Sequence, residues 1–458
     1  MKKTILITAP IGRCVKNFLY TEMFSILKKK HKICLLSPLA ELSNFVNEFN
    51  DDDVSIYYQP KLEKPWQYFL WSNFYEPIRC YQSLFRLANQ FSQYKLDYYK
   101  AKNPRYFNIT KMLTVGSSLI GGIHGLNKIM GISTFKNEYY KNIFKIIKPK
   151  LLISTAWTTL EDQITIYYAK KMKVPILMFP DSWDNFTLNG EIVFRPDKIA
   201  VWSDLMSTHA KDFHGFKDDD LVVTGIPLYD EYLFHTPTVL KNSFKERLNI
   251  HHDNKIITYT CNSGDVMPGE QKIIDAILSL IESGMFGKAV LVLRLNPSWN
   301  REKYKNIYQN NFLVRIDESP PSYSGTYCTK WNSGKEDNLN YVNIIQNSDV
   351  ILTIVSMVVL EAALFDRPIV NIAFDPEMNN PSLSFLNAYN CVRYKPVINT
   401  GGVRLASNVE ELGFLIKKYL DDPTLDNEGR KKIIKEYCGP IDGNSANRIV
   451  SLCEEMVG

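Results

Sequence analysis

Residues 348–374, SDVILTIVSMVVLEAALFDRPIVNIAF, read as strand, helix and strand. The apolar run 350–354 has the length and branching of a buried parallel strand. Ser356 suits the N-cap of a helix starting at Met357, and Arg367-Pro368 ends that helix before a second buried strand at 368–372. In such a βαβ unit the helix N-terminus sits at the carboxyl edge of the sheet, where free N–H groups and the helix dipole attract phosphate. Glu361, five residues past the cap, is spaced to accept both hydroxyls of a ribose whose diphosphate rests on the first turn. Its neighbours Leu360, Ala362 and Ala363 are apolar, so a carboxylate there needs a partner. This is the geometry of a nucleotide-sugar site.

Working outward, similar apolar runs recur in two sets. The first comprises 4–8, 33–36, 54–58, 151–154, 176–179, 198–202 and 221–224; the second comprises 256–260, 290–294, 312–315, 350–354 and 368–372. Alternation of such runs with helical spacing predicts parallel α/β sheets. A chain of 458 residues exceeds one ordinary core, so two domains of roughly 200 residues each are expected. Residues 1–228 form the first, with a helical, aromatic-rich insertion over about 60–145 that interrupts its rhythm; residues 229–440 form the second. A final helix within 441–458 either caps the second domain or crosses back to the first.

The composition is that of a soluble globular chain, and no run of about 18 apolar residues suggests a membrane span. The N-terminus reads as a first buried strand and not a signal peptide, because its apolar run is short and broken by Pro10 and Gly12. A cytoplasmic location follows as the expectation. Eight cysteines lack any CxxC spacing and read as free thiols. The net charge of +5 is mild and without a basic block, which argues against nucleic acid and suits anionic small molecules or an anionic membrane. The histidines show no HxH or HExxH spacing and read mostly as surface residues. The glycine-diluted apolar stretch 112–132, flanked by Lys111 and Lys128, fits a core segment, an acceptor flap or a peripheral membrane contact.

Three further segments join the opening stretch: TGIPLYD at 224–230, YLDDP at 419–423 and GPIDGNSANRI at 439–449. Together they resemble bacterial GT-B glycosyltransferases of the surface-polysaccharide type, related to CDP-glycerol glycerophosphotransferases and UDP-GlcNAc 2-epimerases. The resemblance spans about 198–448, is weaker over the first sixty residues and is absent from the insertion. It implies two Rossmann-like domains facing a cleft. The second would hold a nucleotide-sugar donor, and the first a glycan or lipid-linked glycan acceptor such as a capsule or O-antigen chain. No cofactor and no obligatory metal is implied. The Asp218-Asp219-Asp220 run precedes a strand and reads as a solvated turn, not as a metal motif. A UDP-sugar 2-epimerase, a CDP-polyol phosphotransferase and a non-catalytic nucleotide-sugar-binding protein are the alternatives.

The resemblance assigns the ribose to Glu361, and the diphosphate to Ser356 with the N–H groups of Met357 and Val358, although relatives often carry glycines there. Asn262, Ser263 and Gly264, after the first strand of the second domain, form a natural anion cradle. Arg294 is a candidate phosphate cation in a place where relatives commonly read Arg-x-His-Pro; Asn296 stands at the histidine position. In the first domain the loop 179–187, FPDSWDNFT, supplies Asp181 and Asp184 as candidate bases for the acceptor hydroxyl. Gly12, Arg13, Asn17, Trp157, Trp183 and Asn185 are the candidate acceptor contacts, with capping and Asx-turn roles as their structural alternatives.

Overall fold

The computed structural model describes residues 2–60, 65–87, 95–97, 99–100, 104–119, 121–122, 124–125, 135–235, 239–262, 267, 269–296, 301–317, 334–377 and 384–458. The chain divides into two compact units, Met1–Glu231 with Cys438–Gly458, and Tyr232–Tyr437.

The first unit is built on seven parallel strands: β1 (Thr4–Thr8), β2 (Lys32–Ser37), β3 (Val54–Tyr58), β4 (Leu151–Ser154), β5 (Ile176–Met178), β6 (Lys198–Val201) and β7 (Leu221–Val223). Their order is β3-β2-β1-β4-β5-β6-β7. Ile5, Leu6 and Ile7 are buried in succession, as a central strand covered on both faces requires. The order reverses between β1 and β4, and loops at the carboxyl ends of strands flanking such a reversal form a binding crevice.

The insertion between β3 and β4 contains the helices Pro65–Leu70, Glu76–Leu87, Pro104–Leu119 and Glu138–Ile147. Many of its aromatic rings are used for packing. Phe135 meets Trp71, Tyr75, Tyr167 and Phe194 at centroid distances of 5.0–6.4 Å. Arg79 fastens the insertion: its fully buried guanidinium donates to the Glu191 carbonyl at 2.7 Å and lies over the rings of Trp71 and Trp157.

The helix Ser445–Val457 belongs to the first unit and places Ala446, Ile449, Val450, Leu452 and Cys453 in the same core as β1 and β2. Its seat explains two of the sequence segments. Buried Asp230 accepts the N–H groups of Gly443 (3.2 Å) and Ser445 (2.8 Å), capping the helix from a distant part of the chain. Gly225 has φ +79°, and a Cβ there would lie 2.5 Å from Ser445 Oγ. At Gly439 (φ +71°) a Cβ would strike the Trp202 carbonyl, so both backbones depend on glycine.

The second unit has six parallel strands: β8 (Lys255–Thr260), β9 (Ala289–Arg294), β10 (Val314–Asp317), β11 (Val350–Thr353), β12 (Ile369–Ile372) and β13 (Arg404–Ala406), in the order β10-β9-β8-β11-β12-β13. The reversal lies between β8 and β11. Asp349, just before β11, accepts the Ile256 N–H and the Lys241 ammonium at 2.8 and 2.7 Å. Asp366 adopts φ +50° after the helix Val358–Leu364 and receives the buried Arg430 guanidinium at 2.6 Å. The acidic residues of the SDV and DRP motifs therefore have structural work. No helix among the described residues is long and apolar enough to cross a membrane.

Asp230→Ala leaves the buried Ser445 N–H and the half-buried Gly443 N–H without their acceptor and is expected to cost about 1–3 kcal/mol of stability. Asp230→Asn, which keeps a carbonyl acceptor, is expected to cost less. Urea unfolding of the two variants beside the parent checks the ranking.

Candidate functional site

In the first unit the polar groups gather where β1 and β4 end. The Thr155 hydroxyl donates to the Thr8 carbonyl at 2.6 Å, and the Thr155 N–H donates to Thr8 Oγ1 at 3.3 Å, tying the two strand ends together. The chain after β1 turns into the short helix Gly12–Cys14 and the wider turn Val15–Leu19. This delivers Arg13 and Asn17 to the loop after β5. Arg13 Nε donates to Asp181 Oδ2 at 2.7 Å and its Nη2 completes the ion pair; Asn17 Nδ2 donates to the Asp181 carbonyl at 2.8 Å. Three of the expected residues are thus one cluster. Asp181 and Asn17 are buried, yet Asp181 Oδ1 and Asn17 Oδ1 have no hydrogen-bond partner.

Asp162 belongs to the same neighbourhood, at the end of a segment, 154–162, whose sequence fits either helix capping or acceptor contact. It is fully buried; its Oδ2 accepts from Ser154 Oγ at 2.6 Å and from the Ala156 N–H at 3.2 Å, and its Oδ1 has no partner. Burial pushes its carboxyl above the ordinary aspartate range, and the nearby Asp181 charge adds to the shift.

The remaining candidates of this unit play other parts. Asp184 accepts the Ser182 hydroxyl at 2.5 Å, Asn185 Oδ1 accepts the Ser182 N–H at 3.1 Å, and the Asp184 carbonyl accepts from the N–H groups of Thr187 and Leu188. This is turn-building by short polar side chains, so Asp184 and Asn185 shape the loop that presents Asp181. Trp157 is fully buried among Phe186, His214 and Arg79, and Trp183 is buried as well; neither offers a ring face at the surface for an acceptor. Gly12 is likewise buried under the turn. His214, expected at the surface, is in this core. Its Nε2 lies 2.8 Å from the Phe186 carbonyl, and burial lowers its pKa to about 4, so it is neutral at physiological pH.

In the second unit the helix after β11 spans Val358–Leu364, one residue later than expected, with Met357 at the N-cap position. Its early amides are already engaged. Val358 N–H donates to Ser356 Oγ at 3.3 Å, Val359 N–H to the Ser356 carbonyl, and those of Leu360 and Glu361 to the Met357 carbonyl. The open cradle expected from Ser356, Met357 and Val358 is therefore largely closed by local bonding.

Glu361 is buried, and the Tyr341 hydroxyl donates to its Oε2. Burial, reinforced by the Glu361 charge, holds the Tyr341 hydroxyl well above the usual phenol range. The Arg294 guanidinium lies over the Tyr341 ring at 5.4 Å and is held by both oxygens of Asp337, at 2.9 Å each, and by Asp317. Arg294 was expected to be available to phosphate; its charge is instead opposed by two buried carboxylates. Two carboxylates on the guanidinium, with the Tyr341–Glu361 pair beside it, make a locality suited to hydroxyl donors, such as a ribose diol, more than to phosphate. Asp337 and Tyr341 were not anticipated, yet both lie on the helix Gly334–Asn347 at i and i+4, a spacing that puts them on one face.

At the end of β8, Asn262 donates through its N–H to Glu270 Oε1 at 2.6 Å, and the Tyr259 and Tyr304 hydroxyls also bond that carboxylate. Burial raises the Glu270 carboxyl above its ordinary range. Glu270 organises the strand exit that Asn262 occupies; Ser263 and Gly264 lie outside the described residues.

Solved structures share this fold. S. aureus MnaA, solved with UDP, aligns over 99% of this chain and 96% of its own with TM-score 0.56 and 16% identity. The UDP-GlcNAc 2-epimerase from Methanocaldococcus jannaschii aligns over 99% and 100% with TM-score 0.54 and 13% identity. The wall teichoic acid polymerase TagF aligns over 100% and 89% with TM-score 0.51 and 11% identity. No curated protein matches in sequence. The two Rossmann-like units and these likenesses define a GT-B fold. Over residues 184–455 the sequence matches the CDP-Glycerol:Poly(glycerophosphate) glycerophosphotransferase family, and the chain belongs to that family.

The raised carboxyl of Asp162 gives a pH signature. A carboxyl whose folded pKa lies above its unfolded value binds more protons when folded, so it supports stability fully at low pH and loses that support as pH climbs from about 4 through the raised value. Asp162→Asn removes the titration. The stability of the variant relative to the parent, from urea unfolding at pH 4–8, is expected to rise with pH; a difference independent of pH would overturn the assignment.

Proposed function

We propose that this protein transfers a polyol phosphate from a CDP-activated donor to a terminal hydroxyl of a growing surface polymer. The observation that carries the reading is the family match, which takes in the whole second unit and, in the first, begins at Asp184, just after the proposed base.

In the second unit, the proposed role of Glu361 is to accept the ribose hydroxyls, with Tyr341 fixing one carboxylate oxygen and the Arg294–Asp317–Asp337 group holding Tyr341 in place. In the first unit, Asp181 is the proposed base. Arg13 and Asn17 fix its orientation from one side, which leaves Oδ1 for the proton of the acceptor hydroxyl. The acceptor oxygen forms a bond to the phosphorus that carries the polyol, the phosphoanhydride bond breaks, and CMP leaves with the electron pair. The proton passes to Asp181. Asp162, whose carboxyl is pushed up by burial and whose Oδ1 has no partner, would contribute a further hydroxyl-binding group beside this base. Following the resemblance, the reaction needs no obligatory metal; retained turnover in EDTA tests that point.

Incubation with CDP-glycerol or CDP-ribitol and a lipid-linked glycerol phosphate primer is expected to release CMP as the primer lengthens. Nucleoside diphosphate release from a nucleotide sugar, with sugar on the polymer, would return the sugar-transfer reading suggested by the sequence. Conversion of UDP-GlcNAc alone into its 2-epimer would show an epimerase. Asp181→Asn is expected to lower turnover by about 10²–10⁴-fold with donor affinity intact; full turnover excludes the base role.

Glu361→Ala is expected to weaken donor binding by about 10–100-fold in calorimetry, the value of hydrogen bonds to a charged group. Unchanged affinity removes the ribose assignment.

A further inference from the structure

The turn that leads into β8 gathers three metal-ligating side chains. His251, His252 and Asp253 are all exposed, and their ligand atoms lie within 4.8 Å of one another. The two imidazole rings overlap, with centroids 4.2 Å apart and planes 36° from parallel, and each turns a nitrogen to the same carboxylate. His252 Nε2 lies 3.1 Å from Asp253 Oδ1, and His251 Nδ1 lies 3.7 Å from Oδ2. Two ligands of a tetrahedral Zn2+, with bonds of about 2.0–2.1 Å, stand about 3.3 Å apart. The separations in this turn bracket that value.

Neighbouring contacts hold the turn through its backbone and leave the ligand atoms accessible. The Asn254 N–H donates to the His251 carbonyl at 3.0 Å, and the Lys245 ammonium, from the helix Lys241–Arg247, donates to the His252 carbonyl at 2.6 Å. The Asp253 N–H reaches His251 Nδ1 at 3.3 Å, which places that ring's proton on Nε2 and a lone pair on Nδ1. Lys288 Nζ lies 3.1 Å from Asp253 Oδ2, so a cation already sits at the edge of the cluster. An exposed ammonium–carboxylate pair of this kind is weak and yields to a divalent ion. Two imidazoles with one carboxylate favour Zn2+, Ni2+ or Cu2+ over Mg2+ and Ca2+, which take oxygen ligands.

We propose that His251, His252 and Asp253 bind one divalent transition metal ion, Zn2+ foremost, with water at the remaining coordination position. The ion pins the turn at the amino end of β8. The length of that strand, about 20 Å, separates the ion from Asn262 at the other end, so the site is structural and independent of which group the enzyme transfers.

Untagged full-length protein, stripped with EDTA and dialysed, is titrated with Zn2+ in a calorimeter. The parent is expected to bind one equivalent with micromolar affinity. Loss of even an outer partner of a metal ligand costs about 10–100-fold, so His251→Ala with His252→Ala is expected to weaken binding more than about 100-fold, with an unchanged urea midpoint in the absence of metal. Lys288→Ala removes a competing charge about 3–4 Å from the ion and is expected to tighten binding about fivefold. Cu2+ bound to the parent is expected to show two imidazole nitrogens by electron paramagnetic resonance. Absence of Zn2+ binding by the parent, or parent-like binding by the double histidine variant, overturns the proposal. A Zn2+-dependent dimer seen by light scattering, and lost in that variant, would make the ion a bridge between copies and overturn the single-chain site.

Discussion

Parallel pairing across the two switch points, β1 with β4 and β8 with β11, is the constraint on which the rest of this protein depends. Central strands buried on both faces satisfy their backbone only through their neighbours, so polar side chains collect where the strands end. A threonine closes each first strand in the same way. Thr8 is bonded to Thr155 across one switch point, and Thr260 Oγ1 donates to Thr353 Oγ1 at 2.9 Å across the other. The neighbouring loops inherit their positions from these joints, including those of Arg13, Asp181, Asn262 and Ser356.

Buried charge is concentrated beside those joints. A carboxylate removed from water costs several kcal/mol unless it is paired, bonded or protonated. Asp181 answers this with Arg13, Glu361 with Tyr341, Glu270 with an amide and two phenols, and Asp162 with a raised pKa. Other buried ions are structural fasteners. Arg430 with Asp366, Arg79 with the Glu191 carbonyl, and Asp230 with the amides of Gly443 and Ser445 hold segments far apart in sequence. Perturbed groups gather at functional sites because reaction needs charges that water would otherwise screen. The separate presence of fasteners explains why a conspicuous charge in this sequence need not be chemical.

The fold was legible because its strands are short runs of branched apolar residues bounded by polar turns, a local property. β13 escaped because its three residues, Arg404–Ala406, include an exposed arginine and a single buried side chain, leaving no run to read. The family was legible in motifs whose structural roles are now visible: Gly225 and Asp230 seat the last helix, and Asp349 and Asp366 lock the ends of the β11 unit. For the site, the sequence singled out Arg13, Asn17, Asp181 and Glu361 without showing that the first three touch. Trp157, Asp184 and Arg294 have other partners in space, since a buried ring, a turn-former and a paired cation look in one dimension like groups open to a ligand.

By itself, then, the sequence determined two parallel α/β units, their family and the loops that carry chemistry, because hydrophobic period, turn residues and short motifs are read from neighbours along the chain. Tertiary structure alone decided which charges are spent. Arg294 is neutralised by Asp317 and Asp337, which lie 23 and 43 residues away; the early amides of the 358–364 helix are bonded locally; and an aliphatic stripe on the helix Pro104–Leu119 faces outward. Burial and partnership are properties of space, and they decide whether a side chain holds the fold or meets a ligand.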